Sequence, residues 1–276
     1  MSAYAGRRVV VTGCASGIGA ALAHLLHDRG AEVTGLDLRP TTAPVARFVP
    51  VDLADSASIR AAADAIGDPV DALFNVAGLS GAIDPALVVG VNFVGTRELT
   101  ELLLPRMTAG AAVVTTASVA ASRYLQRRDL VAGLLATRDR DEASRWCREH
   151  AADIGTGYSV SKDAVVWYTM THAVPLAARG IRLNCVAPGL TATPILEASR
   201  ASRGEAFLDA IPKPLGRVAE PAEQAAVLAF LGSADARYVS GQVIWADGGY
   251  LAGVATGQLP HRTGSLGDPA PTGGPS

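Results

Sequence analysis

The 276-residue sequence predicts one α/β domain, a doubly wound parallel sheet with helices on both faces. Three observations predict it. Short β-branched runs alternate with longer stretches of helical periodicity along nearly the whole chain. Most of the strand candidates are continuous apolar runs, such as Val9-Val10-Val11, which suits strands buried on both faces. Hydrophobic residues make up 49% of the chain but aromatics only 5%, a profile of Ala-, Val- and Leu-built helices on a buried sheet.

Taken in order, residues 9–11 predict the first strand, glycines follow, and 18–29 predict a helix closed by Gly30. Strand 32–36 ends at Asp37, and the cycle repeats with strand 47–51, helix 56–66 and strand 70–75. Helix 91–104, strand 111–116, helix 158–178 and strand 182–187 come next. Pro221 suits the first turn of a helix over 221–231, and 242–246 is the last strand. No repeat or linker divides residues 1–256, which are expected to form one catalytic domain. Residues 257–276, rich in Gly, Pro, Ser and Thr, are expected to be a disordered tail.

The balance of 24 basic and 26 acidic residues gives no electrostatic case for nucleic acid or an anionic membrane. No apolar run is long enough to span a bilayer. After Arg7-Arg8 only three valines precede Thr12-Gly13, too few for a secretory core. Cys14, Cys147 and Cys185 lie far apart, with neither metal-ligand spacing nor a disulfide framework. A cytoplasmic, metal-free protein is the expectation. His24, His27 and His172 sit on predicted helices without partner spacing and are read as non-catalytic, and Cys14 and Cys185 as small buried residues.

The turn after the first strand reads Thr12-Gly13-Cys14-Ala15-Ser16-Gly17-Ile18-Gly19. Glycines there allow close backbone approach to a pyrophosphate, whose charge is favoured at the helix N-terminus. Asp37, 18 residues after Gly19, is placed to accept from both hydroxyls of an adenosine ribose and would repel a 2′-phosphate. A Rossmann-type site for NAD rather than NADP follows; Arg39 reads as a surface arginine.

Tyr158 and Lys162 are four apart on a predicted helix and therefore share a face. A free phenol is a poor acid at neutral pH, but a neighbouring ammonium favours its phenolate. Such a pair is expected to exchange a proton with an alcohol or carbonyl oxygen.

Together these residues resemble the short-chain dehydrogenase/reductase family from about Arg7 to Tyr250. The glycine turn is similar to its T-G-x-x-x-G-I-G motif, Asn75-Val76-Ala77-Gly78 to its N-x-A-G, and Asp247-Gly248-Gly249 to its closing motif. The resemblance implies a cofactor site of Gly13, Ser16, Gly17, Ile18, Gly19, Asp37, Asp52, Leu53, Asn75, Ala77, Gly78, Pro188, Gly189, Thr191 and Thr193, with Tyr158 and Lys162. It implies a catalytic set of Asn92, Ser118, Tyr158 and Lys162. Tyr158 would move the proton, Ser118 would hydrogen-bond the same oxygen, and Lys162 would also bind the nicotinamide ribose. Asn92 would hold a relay water. From the residues alone, Asp52 reads equally as the cap of the helix near Ser56, and Asn75 equally as a pin between strands.

Ser118 and Tyr158 are 40 positions apart, a longer link than is usual in that family. The added segment, about 122–155, carries two amphipathic patterns: Leu130, Val131, Leu134 and Leu135, then Ala143, Trp146, Cys147 and Ala151. It reads as a helical cap giving apolar walls to the site, or as a surface or assembly element. The long link resembles the bacterial 3α-hydroxysteroid dehydrogenase/carbonyl reductases and coniferyl-alcohol dehydrogenases. The resemblance implies a homo-oligomer, expected as a dimer through the C-terminal helix and strand because the insertion would obstruct packing beside Tyr158. A substrate lid is expected over about 190–215, with Leu190, Ile195, Leu196, Phe207 and Leu208 as pocket walls.

The expected activity is NAD-dependent hydride transfer with a secondary alcohol or ketone of an apolar substrate, such as a hydroxysteroid. A primary aryl alcohol and a non-catalytic NAD(H) sensor are the alternatives; steroid, terpenoid and aryl alcohol suit an apolar pocket equally.

Overall fold

In the computed structural model, which describes residues 3–81 and 83–261, seven parallel strands form one sheet in the order β3-β2-β1-β4-β5-β6-β7. They are β1 (Arg8–Thr12), β2 (Glu32–Asp37), β3 (Arg47–Pro50), β4 (Ala72–Asn75), β5 (Ala112–Thr116), β6 (Arg182–Pro188) and β7 (Val243–Ala246). The chain steps outward from β1 to β3, then crosses back to β4 beside β1. Val11 is thus in register with Gly35 on one side and Phe74 on the other. Strand order reverses there, and a crevice opens beyond the carboxyl ends of β1 and β4.

The apolar runs are continuous because successive side chains enter opposite cores. Val9 and Val11 meet α1 (Gly17–Asp28) and α11 (Pro221–Gly232) through Leu22, Leu26, Leu228 and Leu231. Val10, Leu73 and Val113 face the other core, with α2 (Ser56–Ala65), α4 (Thr96–Leu103) and α8 (Tyr158–Ala177). Each fully buried leucine contributes roughly 1.5–3 kcal/mol.

The helix expected over 91–104 is not continuous. It comprises α3 (Pro85–Val89), a π-helical segment (Gly90–Gly95), α4 and a 3₁₀ turn (Leu104–Arg106). Within the π segment, both ends of the Asn92 amide bond the main chain of Leu79. Gly95 lies so close to the Leu53 carbonyl that a Cβ would collide with it.

The insertion folds as α5 (Arg128–Leu135), α6 (Arg140–Glu149) and α7 (Ala151–Ile154); α5 and α7 pack against α8, and α6 against α3 and the π-helical segment. Val131, Leu134, Ala143, Trp146 and Cys147 are buried as expected, but Ala151 is exposed because the chain turns at His150 before α7. The lid region carries α9 (Pro194–Arg203) and α10 (Glu205–Asp209), and α12 (Tyr250–Ala255) follows β7.

The start of the expected tail lies against the body. Leu259 N donates to Gly253 O at 3.0 Å, and the His261 ring is 3.1 Å from Ser122 Oγ. The rest of that expectation, 262–276, lies outside the described residues. Among the described residues no helix is long and apolar enough to cross a membrane.

Candidate active site

The crevice at the switch point is a cavity of about 690 Å³. Its floor begins at the glycine turn. Thr12 Oγ1 accepts from Val76 N at 2.9 Å and Ala77 N at 3.0 Å, joining the turns after β1 and β4. A Cβ on Gly13 would sit 2.9 Å from the Ala77 backbone, and its φ of +73° also favours glycine. Ser16 precedes α1 without capping it through its side chain, so the first-turn N–H groups remain available to an anion. Ser16, Gly17, Ile18 and Gly19 all line the cavity.

Asp37 lines it at the end of β2. Its Oδ2 accepts from Ala15 N and its Oδ1 from Arg39 N, both at 3.0 Å. These bonds fix the carboxylate while leaving further lone pairs to accept hydroxyls. Asp52 and Leu53 also line the cavity. Asp52 Oδ1 accepts from Ala54 N at 2.8 Å, and the cap of α2 is Asp55, which accepts from Ala57 N. The open choice at Asp52 thus resolves away from capping.

Asn75 resolves the other way. Ala77 and Gly78 line the cavity, but Asn75 does not. Its Nδ2 donates to Thr100 Oγ1 at 2.9 Å and Thr115 Oγ1 at 3.3 Å, pinning β4 to α4 and β5. Asn75 is 3% exposed. Asn92 is also off the cavity wall and 1% exposed. Its Oδ1 accepts from Leu79 N at 2.7 Å, and its Nδ2 donates to Leu79 O and Ser161 Oγ.

Ser118, Tyr158 and Lys162 converge on one wall. Ser118 follows β5 and caps a 3₁₀ turn, its Oγ accepting from Ala120 N at 3.1 Å. Tyr158 opens α8, after Gly157 at φ +74° packed on the Pro85 carbonyl. One turn on, Lys162 is 4% exposed; its Nζ lies 5.8 Å from the Tyr158 ring centroid and donates to Thr116 O at 2.8 Å.

Burial pushes the Tyr158 phenol up from its ordinary value, and a hydrogen bond from Ser118 pulls it partly back. Burial also drives Lys162 down to about 8, opposed by the nearby Cys185 thiol. The expected lowering of Tyr158 by Lys162 is thus not what this geometry gives. Desolvation dominates both groups, and the ammonium lies beside the ring with its hydrogen bond directed to Thr116.

Pro188, Gly189, Thr191 and Thr193 line the far side. Thr193 caps α9, and a Cβ on Gly17 would lie 3.2 Å from its Cγ2, so the lid starts against the glycine turn. Leu190, Ile195 and Leu196 line the cavity as expected; Phe207 and Leu208 instead pack with Ile211. No residue of 122–155 lines it, so the insertion supplies no pocket wall. It rests on α8, α3 and the π-helical segment.

Sequence reasoning missed Leu79, Ile83, Leu87 and Val119, and the lid serines Ser199 and Ser202. The serines were findable. Ser199 lies one helical turn after Ile195, on the face that Ile195 already assigned to the cavity.

The family model described as short chain dehydrogenase matches residues 7–128, and one described as Enoyl-(Acyl carrier protein) reductase matches 144–251. The chain is 33% identical to a coniferyl-alcohol dehydrogenase of Pseudomonas sp. strain HR199, covering 88% of this chain and 96% of that protein. It is 35% identical to the 3-alpha-hydroxysteroid dehydrogenase/carbonyl reductase of Comamonas testosteroni, over 87% of this chain and 95% of the other. Among solved structures, the 3-alpha-hydroxysteroid dehydrogenase from Pseudomonas sp. B-0831 complexed with NADH superposes with a TM-score of 0.79 at 32% identity. That match covers 92% of this chain and all of the other.

Proposed function

The chain belongs to the short-chain dehydrogenase/reductase family, an oxidoreductase family, and from that premise we propose that it is an NAD-dependent dehydrogenase acting on a secondary alcohol or ketone of an apolar substrate. The observation that carries the reading is the placement of Ser118, Tyr158 and Lys162 on one wall of a cavity that also holds the Asp37 carboxylate.

The residues present fit a dinucleotide. The turn around Gly13 is closed by bonds that a side chain would break, and α1 offers its first-turn N–H groups. The fixed Asp37 suits ribose hydroxyls and disfavours a 2′-phosphate, which supports NAD over NADP. Bound NAD supplies hydride transfer at its nicotinamide carbon.

Every other role falls to side chains. Tyr158 takes the proton from an alcohol oxygen, or returns it to that oxygen in the reverse direction. Ser118 Oγ accepts from Ala120 N, and its hydroxyl proton, directed to Tyr158 before substrate binds, can turn to stabilise charge on the same oxygen. Lys162, pushed down to about 8, sits where a cation strengthens as soon as a negative charge forms beside it. Leu79, Ile83, Leu87, Leu190, Ile195 and Leu196 give the cavity an apolar side where the substrate carbon skeleton rests.

The likeness to a coniferyl-alcohol dehydrogenase supports an aryl alcohol as the second substrate class. A homodimer is also proposed, supported by the half-exposed edge strand β7 and the exposed Phe230 and Tyr238 near it in sequence. The test of the activity is a panel of hydroxysteroids, terpene alcohols and aryl alcohols with NAD⁺, read as NADH absorbance. Turnover of apolar secondary alcohols is expected. NADH binding without turnover of any panel member would overturn it in favour of a sensor.

A further inference from the structure

Arg140 is the first residue of α6, in the insertion, and its surroundings are unlike those of a surface arginine. Its Nη2 donates to Leu53 O at 2.9 Å, its Nη1 to Gly90 O at 3.2 Å and its Nε to Ser56 Oγ at 3.2 Å. Glu98 Oε2 lies 3.5 Å from the same Nη2. A cation in the first turn of a helix opposes the helix dipole, so its position at the start of α6 favours no helix on its own account. The guanidinium instead satisfies the Leu53 carbonyl and adds a bond to the Gly90 carbonyl at the head of the π-helical segment.

One of those carbonyls belongs to a residue of the cavity wall, and the other to the segment beside it. Leu53 lines the cavity, next to Asp52. Gly90 opens the π-helical segment that carries Asn92, and the Asn92 amide holds Leu79, another lining residue. Gly90 has no side chain to separate its carbonyl from the cation; a Cβ there would stand 3.4 Å from Arg140 Nη1. The insertion is also held from the opposite side, where Arg97 Nη1 of α4 donates to Leu135 O at 3.3 Å.

We propose that Arg140 is a positioning residue for the dinucleotide site, and that the insertion acts as a brace fixing the Asp52–Leu53 turn to the Asn92 segment. The inference rests on reading the cavity as that site. It gives the insertion a role at the cofactor end although the insertion lines no part of the pocket. Removing Arg140 frees the Leu53 turn, so the adenosine half of the cofactor should lose affinity while the alcohol should not.

The experiment titrates the full-length protein with NADH and with ADP, in wild type, Arg140→Ala, Arg140→Lys and Arg138→Ala. Arg138 lies in the same insertion but is exposed, and its guanidinium bonds Glu142. Arg140→Ala should raise Kd for NADH and for ADP by the same factor, on the order of tenfold, the scale of a lost charge-assisted hydrogen bond. KM for the alcohol at saturating NAD⁺ should move by no more than about twofold. Arg140→Lys, which can reach one carbonyl but not both, should fall between, and it serves if the alanine variant does not fold. Arg138→Ala should leave both Kd values unchanged. A lowered Tm with unchanged Kd values for Arg140→Ala and Arg140→Lys would overturn the proposal and leave a purely structural brace. Failure of the wild type to bind NADH would instead overturn the reading of the cavity.

Discussion

Lys162 holds its ammonium in a nearly closed site with a hydrogen bond to Thr116 O, and burial drives its pKa from 10.5 to about 8. A depression of that size corresponds to about 3 kcal/mol against folding while the lysine is charged in both states, at about 1.36 kcal/mol per unit. Between about pH 8 and 10.5 the unfolded chain holds this proton and the folded chain does not. Stability from this group therefore rises with pH across that window.

Three buried thiols act in the opposite direction. Burial raises Cys14 and Cys147 to about 11 and Cys185 to about 12, so each lowers stability as pH rises above the ordinary thiol value. Comparing wild type with Lys162→Met cancels the contribution of Cys14 and Cys147, neither of which acts on Lys162. Urea unfolding of both proteins at a series of pH values gives the difference directly. At pH 7 the variant should be equal to or up to about 2 kcal/mol more stable, because the lost desolvation cost is partly offset by the unpartnered Thr116 carbonyl. By about pH 9.5 the wild type should have gained about 2 kcal/mol relative to the variant. A difference that stays flat from pH 7 to about 9.5 would refute the claim that Lys162 is held desolvated. The same variant should lose turnover, so that a more stable protein is a dead one.

Asp37→Ala removes the carboxylate fixed by Ala15 N and Arg39 N; Kd for NADH by fluorescence titration should rise at least about tenfold, and preference for NAD over NADP should narrow. Gly157→Ala forces a side chain into a left-handed position against the Pro85 carbonyl, directly before Tyr158, and should cost on the order of 2 kcal/mol or more in urea unfolding together with most of the turnover. Light scattering of the purified protein should give a dimer of two 28.3 kDa chains; a tetramer would contradict the assembly proposed above.

Much of the fold could be read directly, because a parallel sheet writes its buried strands as apolar runs, as 9–11 and 182–187 do. The Ser118, Tyr158 and Lys162 wall was legible for a related reason: a strand end and a four-residue helical spacing fix where side chains point. What escaped depends on the main chain. The cap read at Asp52 falls instead to Asp55, which only the bond from Ala57 N reveals. Arg140 binds carbonyls, which every residue has, so its spacing to Leu53 and Gly90 leaves no trace in the sequence. The π segment at Gly90 carries the Asn92 bonds to Leu79, a contact between separate elements that spacing does not reveal. The raised Tyr158 phenol was missed because charge proximity can be guessed from spacing, whereas desolvation depends on everything packed around the ring.

The central claim, that Tyr158 moves the proton during hydride transfer, is tested most directly by Tyr158→Phe. The substitution keeps the ring and removes only the hydroxyl. Turnover of an apolar secondary alcohol with NAD⁺ should fall by about 10²–10⁴-fold, the scale of a positioned acid or base, with Kd for NADH changed little. Near-wild-type turnover in that variant would contradict the account.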